Sequence, residues 1–344
     1  MAKPKQSHIL VTGGAGYIGT HTCVELLEQG YELVVVDNLS NSCEYALDRV
    51  DKAAGRGVTY IWADVTDFHA MDSVMESYNI EAVIHFAALK AVGESVSNPL
   101  AYYENNVTGA ISVLRAMVKN NVKKFIFSSS ATVYDPKAKM PLTENSPIGP
   151  INPYGQTKVM TEKILHDLYA SDPTWSITIL RYFNPAGAHK SGLIGEDPNE
   201  TPNNLVPIIT RIAGGRMEEL TVFGKDYPTH DGTGVRDYIH VVDLANGHIA
   251  ALKKMTEPGI NIFNLGTGKG NSVFDVIKAF EKASSKKIPY KVVGRRKGDS
   301  AESYADSSKA KEQLEWQTKF GIEEMCSTAW QWQKKNPMGF KRPQ

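Results

Sequence analysis

Nine residues, Val11-Thr12-Gly13-Gly14-Ala15-Gly16-Tyr17-Ile18-Gly19, constrain this chain more than any others. They follow a β-branched run, His8–Thr12, and lead into a helical pattern over Tyr17–Gln29. Glycines at such a junction let a strand turn sharply into a helix and bring the backbone close to a pyrophosphate on the helix N-terminus. A second run, Glu32–Val36, follows at the spacing of a βαβ unit, and Asp37 closes it. An acidic residue there accepts hydrogen bonds from an adenosine ribose and repels a 2′-phosphate, which favours NAD over NADP. Asp64 ends a third run, where it either reaches the adenine amino group or forms a turn.

The rhythm continues. Thr59–Trp62, Ala82–Phe86, Lys124–Ser128 and Ser176–Arg181 read as strands, with Ala70–Tyr78, Leu100–Asn120 and Pro153–Ala170 as helices. This alternation predicts an α/β fold with a doubly wound, Rossmann-like parallel sheet. Pro99 and Pro153 stand at helix starts, where a missing N–H costs little. After about Asn184 the helices shorten and Pro and Gly become frequent. A first domain over residues 1–183 and a smaller α/β C-terminal lobe over 184–344 are therefore expected, with segments near 238–265 returning to the first domain.

Lys plus Arg number 38, and so do Asp plus Glu, so no net charge steers the chain toward nucleic acid or an anionic membrane. No stretch approaches the roughly 18 apolar residues of a membrane span, and Met1–Ser7 lacks the apolar core of a signal peptide. Cys23, Cys43 and Cys326 suit neither a disulfide framework nor a metal site. A cytoplasmic location and no bound metal are expected.

Tyr154-Gly155-Gln156-Thr157-Lys158 opens a helix and puts a phenol and an ammonium on one face. A cation beside a phenol favours the phenolate and makes a general base of a group whose pKa is ordinarily about 10. Ser130, in Phe127-Ser128-Ser129-Ser130-Ala131-Thr132-Val133-Tyr134, follows the fifth strand at the edge where a doubly wound sheet binds ligands. Its hydroxyl is suited to share a proton with Tyr154.

Gly13–Gly19, His85–Ser95, Phe127–Tyr134, Tyr154–Lys158, Arg181–Pro185, Pro202–Leu205 and Gly234–His240 together resemble the extended short-chain dehydrogenase/reductases. Within that group the chain is similar to the UDP-galactose (UDP-glucose) 4-epimerases, from about His8 to about Pro337. The resemblance implies an NAD site of Gly13, Gly16, Tyr17, Ile18, Gly19, Asp37, Asn38, Asn41, Asp64, Val65, Phe86, Ala87, Lys90, Asn105, Ser128, Tyr154, Lys158 and Tyr182. For a UDP-sugar it implies Lys90, Ser130, Tyr154, Asn184, Asn203, Asn204, Leu205, Phe223, Arg236, Arg296, Asp299 and Ser303. Tyr154 would be the base, Lys158 its electrostatic partner and ribose ligand, Ser130 the bridging hydroxyl, and Thr132 a further catalytic neighbour of the sugar. The diphosphate independently calls for arginine, which Arg236 and the Arg295-Arg296 pair supply. The C-terminal lobe would then bind the nucleotide sugar.

The implied reaction moves hydride from sugar C4 to tightly bound NAD, turns the 4-keto sugar over, and returns the hydride to its other face. A nucleotide-sugar 4,6-dehydratase is the nearest rival, but elimination needs an acid and a base, and Ser130-Ala131-Thr132-Val133 contains no carboxylate. A non-catalytic NAD-sensing protein on the same fold is the other, set against by the retention of Tyr154, Lys158 and Ser130. Three departures from the pattern stand out. Asp135 replaces a common Gly and is expected to reshape the loop after Ser130, while Ala88 replaces another Gly. The segment Gly298–Asp306 lacks the usual Pro after Gly-Asp. Its spacing puts Ser303 where relatives carry a bulky Tyr beside the sugar, so a 2-acetamido group is expected to fit; alternatively Tyr304 fills that space. The resemblance also implies a homodimer through Leu100–Asn120 and Pro153–Ala170, whose apolar positions include Val113, Leu114, Met117, Met160, Ile164 and Leu168.

Overall fold

The computed structural model describes residues 6–199, 202, 204–296 and 298–340. From the N-terminus, β1 (His8–Thr12), α1 (Tyr17–Glu28), β2 (Glu32–Asp37), α2 (Glu44–Ala54), β3 (Thr59–Trp62), α3 (Phe68–Ser77) and β4 (Ile80–His85) alternate. The short α4 (Val92–Ser97) leads to α5 (Pro99–Tyr102), a π-helical turn at Tyr103–Thr108, α6 (Gly109–Lys119) and β5 (Lys124–Ser130). Next come α7 (Pro153–Ser171), β6 (Ser176–Tyr182) and β7 (Asn184–Ala186). The remainder comprises α8 (Leu205–Ala213), β8 (Leu220–Phe223), β9 (Val235–His240), α9 (Val241–Lys254), β10 (Gly259–Leu265) and β11 (Gly270–Ser272). It ends with α10 (Val273–Ser284), β12 (Tyr290–Val293), β13 (Glu302–Ser303), α11 (Ser308–Gln313) and α12 (Ile322–Lys335).

Seven strands form one parallel sheet in the order β10-β6-β5-β4-β1-β2-β3. Both of its faces are covered, so successive strand residues are apolar rather than alternate ones. Ile9, Val11, Leu33, Val35 and Ile84 pack toward α1, α2 and α9 with Leu26, Leu47 and Leu252. Leu10, Val34, Val36, Val83, Phe125 and Phe127 pack on the other side with Met71, Leu114, Met117 and Leu165 of α3, α6 and α7. Late in the chain, α9 returns to pack on α1, and β10 joins the sheet beside β6. A smaller sheet of β11-β9-β13, with β7 beside β9, and the β8–β12 pair lie with α8, α10 and α12 around Val206, Ile209, Phe280 and Trp330.

Three local features differ from the sequence reading. No helix is predicted over 44–54, yet α2 forms there. Its N-cap is Cys43, whose side chain caps nothing, so the usual start signal is missing; Ala46, Leu47 and Val50 anchor its buried stripe, and Gly55 stops it at φ +72°. The helix expected to run unbroken over Leu100–Asn120 is interrupted by the π turn. There Asn106 leaves the helical pattern: its Oδ1 accepts from Leu89 N (2.8 Å), and its Nδ2 donates to Leu89 O and Thr157 Oγ1 (both 3.0 Å). Asp135, finally, needs no strained backbone, since it is not among the non-glycine residues with positive φ. Its N–H donates to Pro147 O and its Oδ1 accepts from Lys137 N, so it closes the turn itself.

Candidate active site

The carboxyl ends of β1, β2, β4, β5 and β6 bring Thr12, Asp37, His85, Ser130 and Tyr182 to one edge, with β1 at the point where strand order reverses. Gly13 turns the chain there with φ +71°, and a Cβ on it would lie 2.6 Å from Ala87 N. Phe86 N and Ala87 N both donate to Thr12 O, so that neighbour is pinned. A Cβ on Gly19 would strike Gly13 O at 2.3 Å. Gly13 and Gly19 therefore serve the packing of the turn. Gly16 is different: within 4 Å its Cβ would meet only Gly13 O, at 3.3 Å, which leaves its outer side open. It is also the N-cap of α1 and has no side chain to cap the first N–H groups, including those of Tyr17, Ile18 and Gly19. Uncapped donors behind an open glycine suit a pyrophosphate.

Asp37 is buried and accepts from Ala15 N (3.0 Å), Leu39 N (2.8 Å) and Ser42 Oγ (2.9 Å). A carboxylate has about four acceptor positions, so room remains for a ribose hydroxyl. Asp64 takes the turn-forming role: Oδ1 accepts from Thr66 N and Oγ1, and Oδ2 accepts from Asn38 Nδ2 (2.8 Å). Asn41 Oδ1 accepts from Asn199 N, and Val65 is buried against Gly109. Ile18 packs into the core, while Tyr17 donates its hydroxyl to Gly187 O at 2.6 Å. Asn105 donates to Asn106, and Lys90 pairs with Glu196 at 3.2 Å, 44% exposed.

Ser130, Tyr154 and Lys158 come together at the mouth of this crevice. Asn152 caps α7 by accepting from Gly155 N, and Pro153 fills the first turn, which aims Tyr154 at β5. The Tyr154 phenol lies beside Ser130, whose Oγ accepts from Thr132 N (3.2 Å) and Thr132 Oγ1 (2.9 Å). Lys158 Nζ donates to Ser128 O at 2.8 Å and lies 5.8 Å from the centre of the Tyr154 ring. Ser128 Oγ is 3.1 Å from His248 Nε2, whose ring lies tilted against Phe86 and Tyr182.

The electrostatics are less favourable than the sequence suggests. Burial pushes the Tyr154 phenol up from its ordinary value, with the Ser130 hydrogen bond opposing. Burial also draws Lys158 down to about 7, with Glu162 opposing. Burial thus works against ionisation of both groups, and a further positive charge, such as that of an oxidised nicotinamide, would favour the phenolate.

On the substrate side, Arg236 Nη1 donates to Val235 O and Nη2 to Asp299 Oδ1 at 3.1 Å. Arg236 and Asp299, both expected to contact the UDP-sugar, are thus paired with each other. Arg296 lies 4.3 Å from the ring centre of Phe223, so these two candidates do meet. Arg295 pairs instead with Asp226 and covers Tyr227. Asn184 opens β7, while Asn204 and Leu205 begin α8; Asn203 lies outside the described residues. Ser303 pairs in register with Arg236 of β9. Sequence reasoning missed Asn106, Glu162 and His248, whose roles depend on partners distant in the chain. The only signal was polarity at buried helical positions.

Residues 9–266 match the NAD dependent epimerase/dehydratase family. The chain is 59% identical to a UDP-glucose 4-epimerase of Bacillus subtilis (strain 168) over 334 residues, covering 97% of this chain and 98% of that one. Its fold is similar to the crystal structure of a UDP-glucose 4-epimerase from Bifidobacterium longum in complex with NAD+ and UDP, with TM-score 0.94 and 51% identity over 97% of this chain and all of that one. It is also similar to the UDP-Glc/GlcNAc 4-epimerase of Campylobacter jejuni, with TM-score 0.83 and 39% identity over 96% and 99% of the two chains. With its uncapped glycine turn, its acidic residue on β2 and its Ser130–Tyr154–Lys158 group, this chain belongs to the NAD dependent epimerase/dehydratase family.

Proposed function

We propose that this protein is an NAD-dependent UDP-hexose 4-epimerase that interconverts UDP-glucose and UDP-galactose. The observation that carries the reading is the Tyr154 phenol set beside Ser130 with Lys158 behind it, together with the open Gly16 turn. NAD, when bound, supplies a hydride acceptor and donor and the positive charge of its oxidised ring. Tyr154 takes the proton of the sugar 4-hydroxyl, Ser130 bridges the two oxygens, and Lys158 balances the phenolate. Arg236 and Arg296 anchor the diphosphate while the 4-keto sugar turns, and Tyr154 then returns the proton to the same oxygen. No net redox change results. Ser130-Ala131-Thr132-Val133 offers no carboxylate for the proton transfers of a 4,6-dehydratase.

The reading extends to the 2-acetamido sugars UDP-GlcNAc and UDP-GalNAc. Ser303 is in register with Arg236, and paired residues of neighbouring strands share a face. Tyr304 Cδ1 lies 3.6 Å from where a Cβ on Gly270 would sit, on the Val235 side of β9, which supports Ser303 as the residue facing the sugar. The Campylobacter relative is named for both UDP-Glc and GlcNAc. Wild-type protein is expected to epimerise both sugar pairs without added reductant or accumulated reduced cofactor. Ser303→Tyr should lower kcat/KM for UDP-GlcNAc about 100-fold or more by steric exclusion, with under about threefold change for UDP-glucose. Coupled assays of each pair read this out; equal losses on both sugars would refute the gatekeeper role.

A homodimer through α6 and α7 is the proposed assembly. Val113, Leu114 and Met117 are buried in the protomer's own core, so those positions do not supply the interface. Ile111, Val118 and Met160 are exposed instead, beside Ile164 and Leu168. Such an apolar face is expected to be covered by its copy. Val118→Asp/Met160→Asp should sediment as a folded monomer, and a persistent dimer would count against this interface. Among the described residues no helix is long and apolar enough to cross a membrane, and the three cysteines form no disulfide. Both facts support a cytoplasmic location.

A further inference from the structure

Glu162 and Arg181 touch neither the glycine turn nor the proposed sugar-binding residues, yet they form a buried ion pair directly behind the acid–base group. Glu162 stands one helical turn beyond Lys158 on α7, and so on the same face. Its Oε1 accepts from Arg181 Nε (3.0 Å) and from Ser129 Oγ (2.5 Å), and its Oε2 accepts from Arg181 Nη2 (2.5 Å). Both side chains are buried. Ser129 is the residue between Ser128, whose carbonyl accepts from Lys158, and Ser130, which lies beside Tyr154. Strand alternation turns Ser128 toward His248 of α9 and Ser129 toward α7. Arg181 is the cross-strand neighbour of Ser129 on β6. Its other side donates to Glu144 O (3.1 Å) and Tyr134 Oη (3.3 Å), within the segment that follows Ser130.

We propose that the Glu162–Arg181 pair is a positioning device for the proposed proton-transfer group, keeping a carboxylate behind Lys158 and fixing the strand end that carries Ser130. The proposal rests on the reading of Tyr154 and Lys158 as the proton-transfer pair. A structural ion pair would not need to grip Ser129, nor to lie on the face of α7 that carries the ammonium. The titratable groups facing Lys158 are Tyr154 and Glu162 on α7 and His85 on β4, with Tyr182 of β6 beside Tyr154. His85 is neutral, because burial and the Lys158 charge push its imidazolium down to about 3. Glu162 is then the carboxylate that counters the burial of Lys158.

Removing only Glu162 would strand Arg181, so the test replaces both. Apolar side chains of similar size in place of a buried ion pair often leave stability unchanged or raise it. Glu162→Met/Arg181→Met, measured as the full chain with NAD, is expected to keep its KM for UDP-glucose within about twofold. Its kcat should fall about tenfold, and the alkaline limb of kcat should move about one pH unit lower, because the ammonium loses its counter-charge. A folded double variant with wild-type kcat and an unmoved alkaline limb would overturn the proposal. If circular dichroism shows that variant unfolded, Ser129→Ala decides. It removes only the grip on β5 and should lower kcat about threefold at constant KM, the cost of one hydrogen bond, whereas wild-type kcat would overturn the proposal. Tyr154→Phe and Lys158→Met run in parallel. Should these two retain turnover, the proton-transfer reading itself falls; should they lose it while the network variants do not, only the positioning role falls.

Discussion

Tyr154→Phe is expected to lower kcat for UDP-glucose epimerisation by about 10²- to 10⁴-fold, or about 3 to 5 kcal/mol of barrier, the range for loss of a general acid–base group. The substitution removes a single oxygen. Ser130 beside it is held by two hydrogen bonds from Thr132, so the remaining geometry is anchored without it. Phenylalanine fills the same buried volume beside Lys158, and the fold should be preserved. KM should change little, because the proposed diphosphate anchors, Arg236 and Arg296, lie on β9 and after β12, away from the substitution. Initial rates across pH, together with the cofactor content of the purified variant, give the measurement. Turnover within about tenfold of wild type, with cofactor bound, would mean that another group moves the proton.

Gly13→Ala should be strongly damaging to the glycine turn. A methyl at φ +71° costs about 1–2 kcal/mol from the backbone alone. In addition, the new Cβ would sit 2.6 Å from Ala87 N and 2.9 Å from Ala87 Cα, backbone atoms held by the hydrogen bonds of Phe86 and Ala87 to Thr12 O. With no side-chain rotamer to relieve the clash, the loop itself must move, and the destabilisation is expected to total about 3–4 kcal/mol. The donors at the start of α1 move with it, so the variant should purify without NAD. Gly30→Ala is the control. It too has positive φ, +89°, but nothing lies within 4 Å of its Cβ, so only the backbone cost of about 1–2 kcal/mol applies. Denaturant titration and cofactor stoichiometry compare the two. Equal midpoints and equal NAD content would show that close packing on Ala87 is unimportant.

Much of this architecture is legible along the chain because its determinants are local. A run such as Leu33–Val36 is apolar on every residue, and only a strand covered on both faces makes use of that pattern. Tyr154 and Lys158 are one helical turn apart, so their common face follows from helix geometry before any tertiary contact is known. The misses are non-local. The π turn exists because Asn106 bonds Leu89 and Thr157, 17 and 51 residues away. α2 forms without a capping side chain because burial of Ala46, Leu47 and Val50 against the sheet substitutes for the start signal. Arg236 and Asp299 reach each other across 63 positions, which spacing could not indicate.

By itself, then, the sequence indicated the alternating strands and most helices of the parallel sheet, the sharp turn at Gly13–Gly19 and the placement of Tyr154 and Lys158 on one helical face. These depend on backbone sterics, on hydrophobic periodicity and on residue chemistry, all properties of neighbours in the chain. Tertiary structure decided which buried polar groups meet and how they are charged. Lys158 is drawn to about 7 by burial and held up by Glu162. Asp64 is spent on Asn38 and Thr66, and Ser303 rather than Tyr304 shares the face of Arg236. Desolvation and hydrogen-bond geometry depend on distances across the fold, and a linear pattern does not encode those distances.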